Sequence, residues 1–81
     1  MFLEETAELM MSADYKDRFK AEYYQLLIRY EKLKAMLDKW DKGELTFNPT
    51  CERSIYDDQI KFMQGYLEVL KKRAEIEEVE L

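Results

Sequence analysis

Among its 81 residues the sequence has no histidine, one cysteine, one proline and two glycines, and each shortage removes a class of function. Without histidine there is no Cys/His set for zinc, and the usual base for activating a nucleophile is missing. The single thiol, Cys51, cannot form an internal disulfide and is expected as a buried or partly buried loop side chain. Gly43 and Gly65 are too far apart to build a phosphate-cradling loop. Adjacent acids such as Asp57-Asp58 and Glu77-Glu78 fall on predicted helix surfaces, where solvation accounts for them. No catalytic residue, metal site or cofactor is expected, and the chain reads as a binder rather than an enzyme. It also lacks any apolar run near the roughly 20 residues that cross a bilayer. Its opening residues, Met1-Phe2-Leu3-Glu4-Glu5, are acidic where a secretory signal is basic. A cytoplasmic location without membrane contact is the expectation.

What is present points to helices. Hydrophobic residues make up 47% and charged residues 38% of the chain, a mixture typical of amphipathic helices with well-solvated outer faces. The fold class expected is all-α, with residues 1–81 as a single domain. A chain this short buries a marginal core, and with no disulfide or metal to staple it, association is the remaining route to stability.

The pattern divides the chain into a short N-terminal helical segment (1–11), helix 1 (14–42), a connection (43–51) and helix 2 (52–78). In helix 1, Phe19, Tyr23, Leu26, Tyr30, Leu33, Leu37 and Trp40 recur at steps of four and three residues, which places them on one seam. Asp14 or Ser12 is a natural N-cap, and Gly43 is a natural left-handed stop. The segment before it is expected to dock loosely; because Met10 and Met11 directly precede Ser12, residues 1–10 read either as native or as an extension. In the connection, Phe47 is expected to close the core beside Trp40, and Asn48, Thr50 or Ser54 to cap helix 2, with Ser54-x-x-Asp57 as a capping box. Helix 2 has its own seam at Tyr56, Ile60, Met63, Leu67, Leu70 and Ala74. The result is an antiparallel two-helix hairpin.

Helix 2 carries more apolar surface than one partner covers. Ile55, Phe62, Tyr66, Val69 and Ile76 form a second stripe beside its seam, and contiguous apolar surface of that kind marks an interface. Either the N-terminal segment covers it within one chain, or hairpins associate as a symmetric dimer or a larger ring. The expected partner is a second copy.

Charge separates the parts further. The net charge is −5, which disfavours duplex nucleic acid, since such binding rests on neutralising phosphates. Residues 14–42 nevertheless hold eight basic against six acidic side chains and form the only basic stretch. Tyr15, Lys16 and Arg18 open that helix, an aromatic ring with cations where backbone N–H groups favour an anion, and Arg29 follows further along. These four are the candidate ligand-binding residues. A surface tyrosine among ordinary solvated charges is the plainer account of the same residues.

The run Asp14-Tyr15-Lys16-Asp17-Arg18-Phe19-Lys20-Ala21-Glu22-Tyr23-Tyr24-Gln25-Leu26, followed by Arg29-Tyr30-Glu31-Lys32-Leu33, resembles a family of small crAss-phage-related helical hairpin proteins. So does Gln59 to Leu81, with Met63, Tyr66-Leu67, Leu70 and Arg73-Ala74-Glu75-Ile76, and the likeness covers residues 12–81. It implies a phage or prophage origin. More distantly, the chain is similar to the phage anti-CBASS nucleotide sponges and the hairpin part of a related anti-Thoeris sponge, oligomers that bind cyclic nucleotides between subunits. The sponges open their first helix with a Tyr-basic pair and an acidic-apolar pair, like Tyr15-Lys16 and Glu22-Tyr23 here. Where they place a phosphate-binding lysine, this chain has Tyr30 beside Arg29. What the resemblance implies is counter-defence by stoichiometric sequestration of a cyclic nucleotide at a subunit interface, with Tyr15 stacking on a base and Lys16 and Arg29 holding phosphates. The alternative is a protein-interaction module that binds and inhibits a host protein, in the manner of an anti-CRISPR, with no small-molecule ligand.

Overall fold

A computed structural model describes all residues, 1–81, and contains three helices and no strand. Helix α1 spans Leu3–Met10, α2 spans Tyr15–Asp41 and α3 spans Arg53–Glu77. The long helices lie one residue inside each expected boundary, because Asp14 and Lys42 are the caps of α2 while Glu52 and Glu78 are those of α3. Asp14 accepts from the Lys16 amide at 2.9 Å, satisfying one of the orphan donors of the first turn. At the other end Gly43 takes φ 70°, a conformation glycine adopts without steric cost.

The two seams meet over half of their length. Phe19 and Tyr23 of α2 pack with Leu67, Leu70 and Ala74 of α3, and Val79 completes this buried cluster. Leu26, Leu27 and Tyr30 are half-buried against it. Toward the connection Leu37 is buried, but the seam residues Leu33, Trp40, Tyr56, Ile60 and Met63 are only half-buried. The core therefore sits at the end of the hairpin remote from the turn.

Val79 reaches that core through the way α3 ends. Glu78 adopts φ 57°, ψ 43°, and the Val79 amide donates to the Ala74 carbonyl at 2.8 Å. This is the six-to-one bond of a Schellman stop, with the residue after the left-handed position folded back as its hydrophobic contact. A non-glycine residue in that conformation is uncommon. Two contacts hold it there: burial of Val79, and a bond of 3.2 Å from Lys16 Nζ to the Glu78 carbonyl.

The connection differs from expectation at four places. Phe47 is exposed, and Trp40 is covered instead by Tyr56, edge-on with centroids 6.0 Å apart, and by Arg53, 5.3 Å from its ring. Glu52 occupies the N-cap of α3 without a side-chain cap bond. Asp57 pairs with Arg53 at 2.9 Å rather than closing a capping box with Ser54. Cys51 is exposed. Arg53 also reaches Asp41 at 2.6 Å, so one guanidinium joins the end of α2 to the start of α3, and that bond holds the Asp41 carboxyl below its ordinary range.

α1 packs on α2 alone and makes no contact with α3. Its docking is close and small in scale. Thr6 and Ala21 are both 0% exposed, and the Thr6 hydroxyl donates to the Leu3 carbonyl at 2.6 Å while accepting from Gln25 at 3.2 Å. A threonine in a helix that also carries three glutamates thus ties α1 to α2. The second stripe of α3 consequently stays uncovered within one chain: Phe62 is 69% and Ile76 81% exposed, and Ile55, Tyr66 and Val69 are exposed as well.

Two outcomes follow from this packing. Leu70, 1% exposed, is the tightest point of the core, and Leu70→Ala should cost about 2–5 kcal/mol and lower Tm by more than about 10 °C, measured by circular dichroism. Thr6→Leu should remove the bond from Gln25 and overfill a fully buried site, releasing α1, so that limited proteolysis trims residues 1–11 rapidly while the fragment that remains keeps its helical signal. Unchanged resistance at 1–11 would show that α1 is not held there.

Candidate functional site

The face of α2 between α1 and α3 carries the polar groups. Arg18, Glu22, Gln25, Leu26 and Arg29 recur at helical spacing, so they form one stripe along the helix. With Met10 from α1 they line an open cleft of about 440 Å³. Gln25 sets its α1 side by donating through its side-chain amide to both Thr6 and the Met10 sulfur. Glu22 sets the other side by accepting from the Tyr66 hydroxyl of α3. That bond and partial burial push the Tyr66 pKa upward, favouring the neutral phenol.

Of the four candidate ligand residues, Arg18 and Arg29 come together in this cleft. They are eleven residues apart, close to three whole turns of helix. Arg18 donates to the Ser12 carbonyl at 2.7 Å, which steadies its guanidinium beside the α1–α2 turn. Arg29 is exposed and forms neither an ion pair nor a side-chain hydrogen bond. Tyr15 is exposed one turn before Arg18 and does not line the cleft. Lys16 projects elsewhere, with its ammonium on the Glu78 carbonyl at the end of α3.

The first turn of α2 is occupied by the chain's own acids. Asp14 caps it, and Asp17 accepts from Ser12 Oγ at 2.8 Å. The cation pair three turns apart is therefore better placed for an anion than the turn itself. Two other hollows are similar in volume. One, about 550 Å³, is walled by Glu5, Glu8 and Asp17 and repels anions; another, about 430 Å³, lies between Met1–Glu4 and the outer side of α2. No three His, Cys, Asp or Glu side chains converge to hold a metal ion, and no helix is long and apolar enough to cross a membrane.

Sequence reasoning missed Met10 and Gln25, because their place in the cleft depends on where α1 docks and no periodicity encodes that. Glu22 stood in the acidic-apolar pair of the resemblance without a role, and its contact with Tyr66 supplies one.

In chemical terms the cleft offers two guanidinium groups for phosphate, an amide and a carboxylate for polar edges, and Met10 and Leu26 as apolar surface. Such a lining suits an anionic ligand with an apolar face. No curated protein and no solved structure matches the chain. Residues 13–76 match the family described as Sequestin, a span covering all of α2, the connection and nearly all of α3, and on that match the chain belongs to the Sequestin family.

Proposed function

We propose that the chain is a stoichiometric binder that sequesters a cyclic nucleotide immune signal, with the Arg18–Arg29 cleft of α2 as the seat of its phosphates. The observation that carries this reading is the pairing of those two arginines on one open face of a chain whose net charge is −5. A local cation pair in an acidic protein selects compact anions, which reach the cleft, over extended polyanions, which meet the surrounding acids. The family name supports a sequestering role, in which binding rather than catalysis is the activity.

In this reading Arg29, with no partner of its own, takes one phosphate, and Arg18 takes the next without leaving Ser12, since a guanidinium has donors to spare. Gln25 and Glu22 meet the polar edge of a base or a sugar hydroxyl. Tyr15 stacks at the open end, and Lys16 contributes only to holding α3. A phage-encoded protein acting in the host cytoplasm by removing such a signal needs one site per ligand and no reaction. It must be made in amounts that match the signal.

Thermal unfolding with a panel of cyclic di- and trinucleotides tests the proposal. A ligand present at 100 times its Kd should stabilise the fold by about 2.7 kcal/mol, a rise in Tm of about 10 °C or more for a domain of this size. Arg29→Ala should remove the shift while leaving the unliganded Tm within about 2 °C, because Arg29 is exposed and forms no ion pair or side-chain hydrogen bond in the chain. The ligand should be recovered intact on denaturation. No shift with any member of the panel, or recovery of a hydrolysed product, would overturn the proposal. Capture of one host protein in place of a nucleotide would favour the inhibitor alternative.

A further inference from the structure

Along the exposed side of α3, Ile55, Asp58, Phe62, Gly65, Tyr66, Val69, Arg73 and Ile76 succeed one another at steps of 3, 4, 3, 1, 3, 4 and 3 residues. That series reads the same from either end. Its centre falls between Gly65 and Tyr66, at the middle of the helix Arg53–Glu77. Ile55, Phe62, Val69 and Ile76 are each seven residues apart, the repeat of a coiled-coil seam.

We propose that α3 pairs with α3 of a second copy in an antiparallel two-fold dimer centred on Gly65 and Tyr66. A two-fold axis at that point sets Ile55 opposite Ile76 of the other copy, Phe62 opposite Val69, and Tyr66 over Gly65. It also sets Asp58 opposite Arg73 and Gln59 opposite Lys72, so no like charges face each other. A parallel pairing would oppose Asp58 to Asp58, Lys72 to Lys72 and Arg73 to Arg73, a stack of repulsions. Asp58 has no ion-pair partner in the chain, and Arg73 pairs with Glu77 through Nε and lies 4.9 Å from the Phe19 ring while its two terminal nitrogens make no hydrogen bond.

Gly65 supplies the second, independent observation. It sits in mid-helix, where glycine is the poorest choice short of proline, and a Cβ built there meets nothing within 4 Å. Nothing within one chain requires glycine at this position. Close approach of a second helix does require a residue of this size, and in this register the group arriving there is the Tyr66 ring of the other copy. The proposal does not depend on which ligand the Arg18–Arg29 cleft takes.

The test combines mass with register. Light scattering at micromolar concentration should give twice the 9.9 kDa chain mass for the parent protein. Gly65→Leu, which improves the helix and whose Cβ meets nothing in its own chain, should give the single-chain mass with undiminished helical circular dichroism. In a Cys51→Ser background, Ile55→Cys chains mixed with Ile76→Cys chains should form a disulfide readily. Each variant alone should not, because antiparallel pairing separates identical positions by about 30 Å at 1.5 Å per residue. A parent protein of single-chain mass, a Gly65→Leu protein that remains dimeric, or equal cross-linking within each variant alone would each overturn the proposal.

Discussion

The contact of Phe19 and Tyr23 with Leu67, Leu70 and Ala74 is what every other part of this molecule rests on. Only nine of 81 residues are buried, and that cluster holds most of them, so no second core exists to carry the fold if it loosens. It joins residues far apart in sequence, and the entropy of closing so long a loop must be met by those few side chains. The connection end contributes differently. There Arg53 spans Asp41, Asp57 and the Trp40 ring, exposed contacts that fix direction more than they add stability.

Placing the core at the open end accounts for the unusual end of α3. A hairpin held only by its turn would fray where the chain terminates. Here the left-handed Glu78 turns Val79 inward, and Lys16 holds the Glu78 carbonyl from the first turn of α2. Lys16 is thus engaged in closing the hairpin, which separates it from Arg18 and Arg29 although it lies nearest to Tyr15 in sequence. Neighbours in sequence point to different sides of a helix, and residues eleven apart share one.

That rule also marks how far the sequence could be read. Both long helices, their seams, the Gly43 stop and the uncovered stripe of α3 follow from periodicity and cap chemistry, which are local. What escaped is tertiary in origin. Thr6 joins α1 to Gln25 of α2 through one hydroxyl, a feature with no hydrophobic signal. Phe47 and Cys51 lie in a connection whose path no pattern encodes, and the inward turn of Val79 needed a left-handed residue that sequence statistics assign to glycine. The cleft was legible by half. Arg18 and Arg29 could be chosen because they are basic and lie on the one basic helix, whereas Met10 and Gln25 enter only once α1 has a position.

Tyr66 connects the stability of the hairpin to its surface. Its ring belongs to the exposed stripe of α3, and its hydroxyl donates to Glu22 on the wall of the arginine cleft. A carboxylate between two arginines would ordinarily neutralise them and leave little charge for an anion. Bonded to a phenol on the far helix, Glu22 is drawn toward α3, and the phenol in turn is held neutral by that carboxylate and by burial. Arg29 is left without an internal partner, so the cleft retains positive charge within an acidic protein. The same bond fixes the Tyr66 ring in orientation beside Gly65, giving the exposed stripe a rigid large residue next to an open small one. Charge in the cleft and shape on the stripe therefore depend on one contact between α2 and α3, and that contact exists only while the core beneath it holds the two helices together.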